Sequence, residues 1–84
     1  MKLFRIYTEN KNPERLKELI SICFDGFTVI RTKGFWNGVP ENALLIEIYT
    51  ENAELIRALA GAIKKNNKQE AALVTSSDVD FNLI

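Results

Sequence analysis

Two cationic and two aromatic side chains lie close together near the middle of the sequence, at Arg31, Lys33, Phe35 and Trp36. Arginine and lysine neutralise anionic groups, and an aromatic ring can stack on a planar heterocycle. This spacing predicts a binding site for a small anionic or nucleotide-like ligand. A second interpretation stays open, in which Phe35 and Trp36 pack against a neighbouring subunit, because a lone tryptophan near a hairpin often anchors an interface.

Three further polar residues belong to the predicted ligand site, namely Glu41, Thr75 and Ser76. The hydroxyls of Thr75 and Ser76 come at the end of the last predicted strand and can donate hydrogen bonds to an anion. Ser76 can equally cap a final helical turn.

The composition argues against most catalytic chemistry. The 84 residues include no His and a single Cys, Cys23. The commonest general base is therefore missing, and neither an intrachain disulfide nor a cage of several thiolates can form. Only Tyr7, Glu47 and Tyr49 remain as candidates for an enzyme site. We therefore predict a non-enzymatic protein with no cofactor and no metal site.

The charge balance limits the choice of partners. Eleven basic and eleven acidic side chains give a formal net charge of zero, which argues against a dedicated nucleic-acid binder or attachment to an anionic membrane. No apolar stretch reaches the roughly 18 residues of a membrane span, and charged residues interrupt the N-terminal apolar run. We expect a cytoplasmic protein.

An internal repeat divides the chain into two halves, about 1–42 and 43–84. The pentapeptide Ile6–Asn10 recurs as Ile48–Asn52, and each copy follows an alternating apolar run and precedes a helical pattern. The repeat is consistent either with a duplicated β-α-β unit or with chance similarity between two strand-to-helix junctions.

The elements that position these residues follow from apolar periodicity and capping residues. Asn12 and Asn52 are predicted to cap two helices, and Asp25-Gly26 to end the first. Residues 34–42, with two Gly, one Pro and two Asn, are predicted to form a turn-rich connection. The four strands are predicted at 2–8, 27–33, 44–49 and 71–75.

The order β-α-β-β-α-β predicts a single α+β domain of the ferredoxin-like sandwich type, spanning residues 1–84. Its antiparallel four-stranded sheet has the order 4-1-3-2, with both helices on one face. Alternation along the central strands directs one set of side chains to the other, open face. These are Leu3, Arg5, Tyr7, Leu45, Glu47 and Tyr49.

An open sheet face with apolar side chains favours self-association, so these residues and Trp36 are the predicted oligomer interface. Two alternatives remain, a solvated sheet face and an RNA-binding platform. The third strand lacks the basic-glycine-aromatic pattern of the RNA-binding module.

Around the connection, the sequence resembles the CutA family, which is related to the PII signalling proteins. The matched residues are Trp36-x-Gly38-x-x-Glu41 followed by the strand Leu44–Thr50, with Val74-Thr75 and Phe81 downstream. The resemblance implies a ferredoxin-like trimer with long hairpins between strands two and three and ligand sites between subunits. The chain lacks the family's usual His, and Cys23 alone remains of its proposed copper ligands, so metal binding is not implied.

The sequence therefore predicts a homo-oligomer, by resemblance a trimer, that senses or sequesters a small anionic or nucleotide-like ligand between subunits. The alternative is a protein-interaction module, such as a phage- or plasmid-type inhibitor of a host protein. It would act through the open sheet face or residues 34–42.

Overall fold

The computed structural model describes all 84 residues, Met1–Ile84. The elements follow the predicted order: β1 (Lys2–Glu9), α1 (Pro13–Cys23), β2 (Thr28–Trp36), β3 (Val39–Thr50), α2 (Ala53–Asn67) and β4 (Leu73–Asp78). The four strands form one antiparallel sheet with the order β2-β3-β1-β4, which is the predicted order read from the other edge. The ferredoxin-like βαββαβ fold is confirmed.

The core lies between the sheet and the two helices and consists almost entirely of aliphatic side chains. Its members alternate along β1 and β3 and recur at helical spacing along α1 and α2, as expected for faces that share one core. The cluster contains Phe4, Ile6, Leu16, Ile20, Leu44, Ile46, Ile48, Ile56, Leu59, Ala60 and Ile63. These residues fix β1 and β3 as the centre of the sheet.

Both helices begin at the predicted asparagine caps. The Asn12 side chain accepts a hydrogen bond from the Arg15 backbone N–H at 3.3 Å, and Asn52 accepts one from Leu55 at 3.0 Å. The predicted end of α1 at Asp25-Gly26 is wrong, because the helix stops at Cys23 and Phe24 is already extended, with φ −139°. No left-handed glycine is needed to end this helix.

The connection predicted at 34–42 is wrong for most of its length. β2 continues to Trp36 and β3 resumes at Val39, so only Asn37 and Gly38 form the turn. Both have positive φ, 51° and 78°, which is the backbone of a type I′ hairpin turn. Pro40 is tolerated in the overhanging part of β3, because β1 pairs only with residues 43–50 and leaves that side without a neighbour.

The chain after β4 turns back onto part of the open face. The Val79 backbone N–H donates a hydrogen bond to the Met1 carbonyl at 3.1 Å. The Phe81 ring lies against that of Tyr49, with ring centroids 5.5 Å apart. Leu3, which by alternation points to the open face, is only 4% exposed. One end of that face is therefore covered by the chain itself.

Candidate functional site

Two adjoining clefts lie at the opposite end of the sheet, where β1 ends. The larger has a volume of about 460 Å³ and the smaller about 250 Å³. Glu9, Trp36, Glu41 and Ala71 line both. The two clefts therefore form one continuous groove, which we call the Trp36 groove.

The larger cleft is built by strand alternation on the open face. Register places Tyr7 of β1 between Leu45 of β3 and Leu73 of β4, and the overhanging hairpin carries Trp36 to the same side. The walls here are largely apolar and aromatic, with contributions from Tyr7, Trp36 and Leu73. Such a surface suits the flat face of a ring.

The smaller cleft is polar and lies beside the end of α2. Its lining includes Lys11 and Lys68 together with Glu9, Glu41 and Glu70. This cleft thus has two lysines and three glutamates. Acidic and basic groups are intermixed in this cleft, since Lys11 Nζ lies 3.6 Å from Glu9 Oε1.

A buried polar cluster supports this end of the groove. The Thr8 hydroxyl donates to the Gln69 side-chain oxygen at 2.8 Å, and the Asn67 amide donates to the same oxygen at 3.0 Å. The Gln69 amide donates to the Ala71 carbonyl at 2.8 Å. Thr8, Asn67 and Gln69 are 4%, 5% and 7% exposed. The cluster therefore fixes the backbone of residues 67–71 against the end of β1.

Sequence reasoning missed this cluster and with it the lysines of the smaller cleft. Lys11, Asn67 and Lys68 are distant in sequence from the aromatic pair, and no short motif joins them. One signal was available, since Thr8 occupies a position of β1 that alternation assigns to the apolar core. A polar side chain at such a position needs a buried partner.

Four of the seven predicted ligand residues line the groove, namely Lys33, Phe35, Trp36 and Glu41. Arg31 does not: it lies opposite Leu44, and by alternation points to the helix side of the sheet, away from Trp36. The same alternation directs the side chains of Lys33 and Phe35 to the helix side, although both residues line the groove. Of the four lining residues, Trp36 and Glu41 alternate to the open face. Thr75 and Ser76 lie on β4, opposite Arg5 and Phe4, and neither lines the groove. The structure thus separates the predicted set into two groups.

The residues predicted as an oligomer interface lie along the two central strands. Arg5 Nε donates to Glu47 Oε2 at 3.0 Å at their centre. Tyr7 and Tyr49 are 40% and 49% exposed, whereas Leu3 has almost no free surface and Leu45 is partly buried. Trp36 is 55% exposed at the hairpin end.

An exposed ion pair lies at the covered end of the sheet, far from the groove along β1. Lys2 Nζ donates to Asp78 Oδ1 at 2.8 Å. This hydrogen bond and the attraction of the opposite charges lower the pKa of Asp78 and raise the pKa of Lys2. No three Cys, Asp or Glu side chains are grouped to hold a metal ion. Neither helix has the length and hydropathy needed to cross a membrane.

No protein-family model matches the chain, and no curated protein sequence does. Solved structures do show the fold. A phage SAM lyase in its apo state superposes with a TM-score of 0.74 at 18% identity, over 90% of this chain and 78% of that one. A DUF3240 family protein from Shewanella baltica OS155 gives 0.73 at 16% identity, over 99% of this chain and 93% of that one.

A third similar structure is CPII, a nitrogen regulatory PII-like protein from Thiomonas intermedia K12, bound to ADP, AMP and bicarbonate. It gives a TM-score of 0.71 at 16% identity, over 99% of this chain and 93% of that one. The likeness to PII-like proteins predicted from the sequence is thus confirmed for the fold.

Proposed function

We propose that this single ferredoxin-like domain is a non-enzymatic, oligomeric binding protein that senses or sequesters a small nucleotide-like ligand in the Trp36 groove. The observation that carries the proposal is the groove itself. An exposed indole stands at the junction of an aromatic cleft and a cleft with lysines. In a ligand with a ring and an anionic group, the ring suits the aromatic cleft and the anionic group suits the lysines.

Trp36 is the central residue of the proposed site. Its side chain is 55% exposed, an unfavourable position for an indole unless another surface covers it. Stacking a base on an aromatic side chain stabilises a complex by about 1–3 kcal/mol. Glu41 and Glu9, beside Trp36 in both clefts, can accept hydrogen bonds from amino groups on the ring.

The proposal also includes the remaining polar residues that the sequence predicted for the ligand site. Lys33 lines the groove, whereas Arg31, Thr75 and Ser76 can reach a ligand only if a second subunit brings them to its groove. Their role therefore depends on a site between subunits. The groove opens onto the open face, where a neighbouring copy, in a trimer, would close it.

The proposed interface consists of the exposed parts of the central strands and the hairpin end. Tyr7, Leu45 and Tyr49 offer apolar surface around the Arg5–Glu47 pair, and burial of such surface drives association. Leu3 contributes little, because the chain already covers it. A cytoplasmic location remains part of the proposal.

Two of the similar structures suggest an adenosine-containing ligand. The Thiomonas protein is described with ADP and AMP, and the phage protein is a lyase of SAM, which also contains adenosine. AMP, ADP and SAM are therefore the compounds to test first. Since one neighbour is a lyase, SAM is included and its breakdown products are measured.

The binding test uses the chain's only tryptophan. Addition of AMP, ADP or SAM is expected to change Trp36 fluorescence, and titration calorimetry gives the affinity. Trp36→Ala is expected to weaken binding at least about tenfold, through loss of one stacking contact. Ile22→Ala, which alters an exposed residue of α1 outside the groove, is the matched control.

The proposal is overturned if the wild-type protein binds none of these compounds, or if Trp36→Ala binds them as the wild type does. Release of products from SAM would instead establish an enzyme. Sedimentation at micromolar concentration measures the assembly, and a monomer with and without ligand excludes the intersubunit site.

One observation favours the second candidate, a protein-interaction module. The hairpin end presents three exposed apolar side chains, Phe35, Trp36 and Val39, at 71%, 55% and 62% exposure. This patch could insert into a partner protein. A stable heteromeric complex that Trp36→Ala abolishes, with no binding of adenosine compounds, would favour this function.

A further inference from the structure

The outer side of α2 carries a line of exposed residues. Arg57, Gly61 and Lys64 have the spacing i, i+4, i+7, so they lie one above another along the helix, over about 10 Å. Beside this line, the same side of the helix exposes three further residues, Ala58, Ala62 and Lys65. We call these six residues the α2 face.

Gly61 is an unfavourable residue for its position in the middle of α2. A glycine in a helix interior costs about 1 kcal/mol relative to alanine. No close contact within the chain requires it, because a Cβ added there would meet no atom within 4 Å. Its φ does not lie in the left-handed region either. The fold therefore gives no reason for this glycine, whereas a partner that approaches the helix backbone closely from outside does.

The cations of the α2 face have no partner within the chain. The side chains of Arg57, Lys64 and Lys65 form no hydrogen bond and no ion pair. The helix has one carboxylate, Glu54, against these three cations. The helix dipole favours cations in the last turn, where Lys64 and Lys65 lie. It gives no reason for Arg57.

The outer side of α1 is different, because its charges are paired. Arg15 Nη1 lies 3.1 Å from Glu18 Oε2, and Lys17 Nζ lies 3.4 Å from Glu14 Oε1. The whole chain has a net charge of zero. Within that balance, α1 is neutral and α2 presents a local positive surface.

The shape of the α2 face favours another helix as its partner. No large apolar side chain of α2 is exposed, so this face has nothing to insert into a lipid bilayer. Helix axes pack about 8–10 Å apart, depending on the side chains at the contact, and a glycine between two alanines allows the shorter distance. Phosphate groups are reached by long cationic side chains and need no such flat strip.

We propose that the α2 face is the docking surface for an acidic helix of a partner protein. The partner helix packs at Gly61 and places carboxylates, two helical turns apart, beside Arg57 and Lys64. None of the residues that line the Trp36 groove belongs to the α2 face. The inference therefore goes beyond the proposed ligand site and does not depend on it.

Two synthetic helical peptides of about 18 residues are the probes. Both are rich in alanine and have the same number of glutamates, which lie along one face in the first peptide and all around the helix in the second. Fluorescence anisotropy should show at least about fivefold tighter binding of the one-face peptide. It should shift the backbone amide NMR signals of α2 and leave those of the Trp36 groove unchanged. Equal binding of the two peptides, or no binding at millimolar concentration, overturns the inference.

Gly61→Gln separates close approach from charge. It keeps every cation and replaces glycine by a good helix former, so the melting temperature should rise by about 3 °C. The added side chain obstructs the partner helix and should weaken binding of the one-face peptide at least about fivefold. Wild-type affinity in this more stable variant contradicts docking at Gly61.

Charge variants and other polyanions complete the test. Arg57→Ala and Lys64→Ala should each weaken binding of the one-face peptide about threefold, whereas Lys17→Ala, on α1, should bind like the wild type. Duplex DNA and phosphatidylserine vesicles are the competing probes. If either binds more tightly than the one-face peptide and loses affinity in Arg57→Ala, the surface is a polyanion site and the inference is overturned. Weaker binding of both supports a helix as the partner.

Discussion

The same five residues occur twice in this protein and have different roles in the two places. In the first copy, Ile6–Asn10, the strand end forms one wall of the Trp36 groove. Tyr7 and Glu9 line it, and Thr8 is buried in the polar cluster with Asn67 and Gln69. All the side chains that alternate toward the open face here remain accessible to a ligand.

In the second copy, Ile48–Asn52, the chain's own ends occupy the corresponding place. Phe81 lies against Tyr49, and the amino group of Met1 is 3.0 Å from Glu51 Oε1. The Thr50 hydroxyl accepts a local hydrogen bond from Asn52 N–H at 3.1 Å. Neither cleft of the Trp36 groove is lined by residues of this copy.

The difference shows that the pentapeptide forms a strand-to-helix junction in both halves, whereas the residues packed around it determine whether the junction lines a groove. Arg5 and Glu47, equivalent positions of the two halves, lie opposite each other on the central strands. The halves are thus related by an approximate twofold axis through this pair. The chain termini break the symmetry, because they cover one junction and leave the other open.

Removing the threonine hydroxyl from each copy in turn tests most directly whether the two copies have different roles. Thr8→Val removes two buried hydrogen bonds, one to the Gln69 side-chain oxygen and one from the Asn67 amide, and should lower the free energy of unfolding by about 2 kcal/mol. Thr50→Val loses one exposed local hydrogen bond and should cost about 0.5 kcal/mol or less. Urea denaturation measures both. Equal losses would contradict the assignment of different roles to the two copies.

A smaller effect is expected at the covered end. Phe81→Ala removes the ring that lies against Tyr49 and should lower the free energy of unfolding by about 1 kcal/mol. Ligand binding in the distant groove should stay unchanged. Leu83→Ala is the matched control, because Leu83 is 85% exposed. If both variants unfold alike in urea, the tail does not stabilise this end.

The smallest effect concerns the exposed Lys2–Asp78 pair, which joins β1 to β4 at the covered end. The pKa of Asp78 is lowered from 3.8 by the hydrogen bond and charge of Lys2. The pair therefore stabilises the folded state above pH 3.8 and loses this effect as the pH falls through the lowered value. Asp78→Asn should melt slightly below the wild type at pH 7. A difference that persists at pH 2 would contradict this origin.

Much of the fold could be predicted, because its signals are local. Alternation and helical periodicity assigned the core, and Asn12 and Asn52 marked the helix starts. The periodicity ended both strands of the hairpin too early even though Asn37-Gly38 is a strong type I′ signal, because Gly34 and Pro40 around it suggested a loop. Only the family resemblance implied a long hairpin. Alternation also separates Arg31 from Trp36, but the prediction grouped them by proximity in sequence.

The rest of the site could not be predicted, because it depends on tertiary contacts. Lys11 and Lys68 come together only when α2 packs beside the end of β1. Lys68 follows α2 in the left-handed conformation, which has no sequence signal, since a glycine is the residue expected there. The buried amide cluster likewise becomes visible only when Thr8 meets Asn67 and Gln69 in space.

The hydrogen bond between Val79 and Met1 places the two ends of the fold side by side. The order of the elements along the chain is therefore not essential to their arrangement in space. A circularly permuted chain that joined residues 79–84 to Met1 and opened at the Asn37–Gly38 turn would keep every strand pairing and the whole core. New termini at the hairpin end would then emerge beside Trp36, at the rim of the groove.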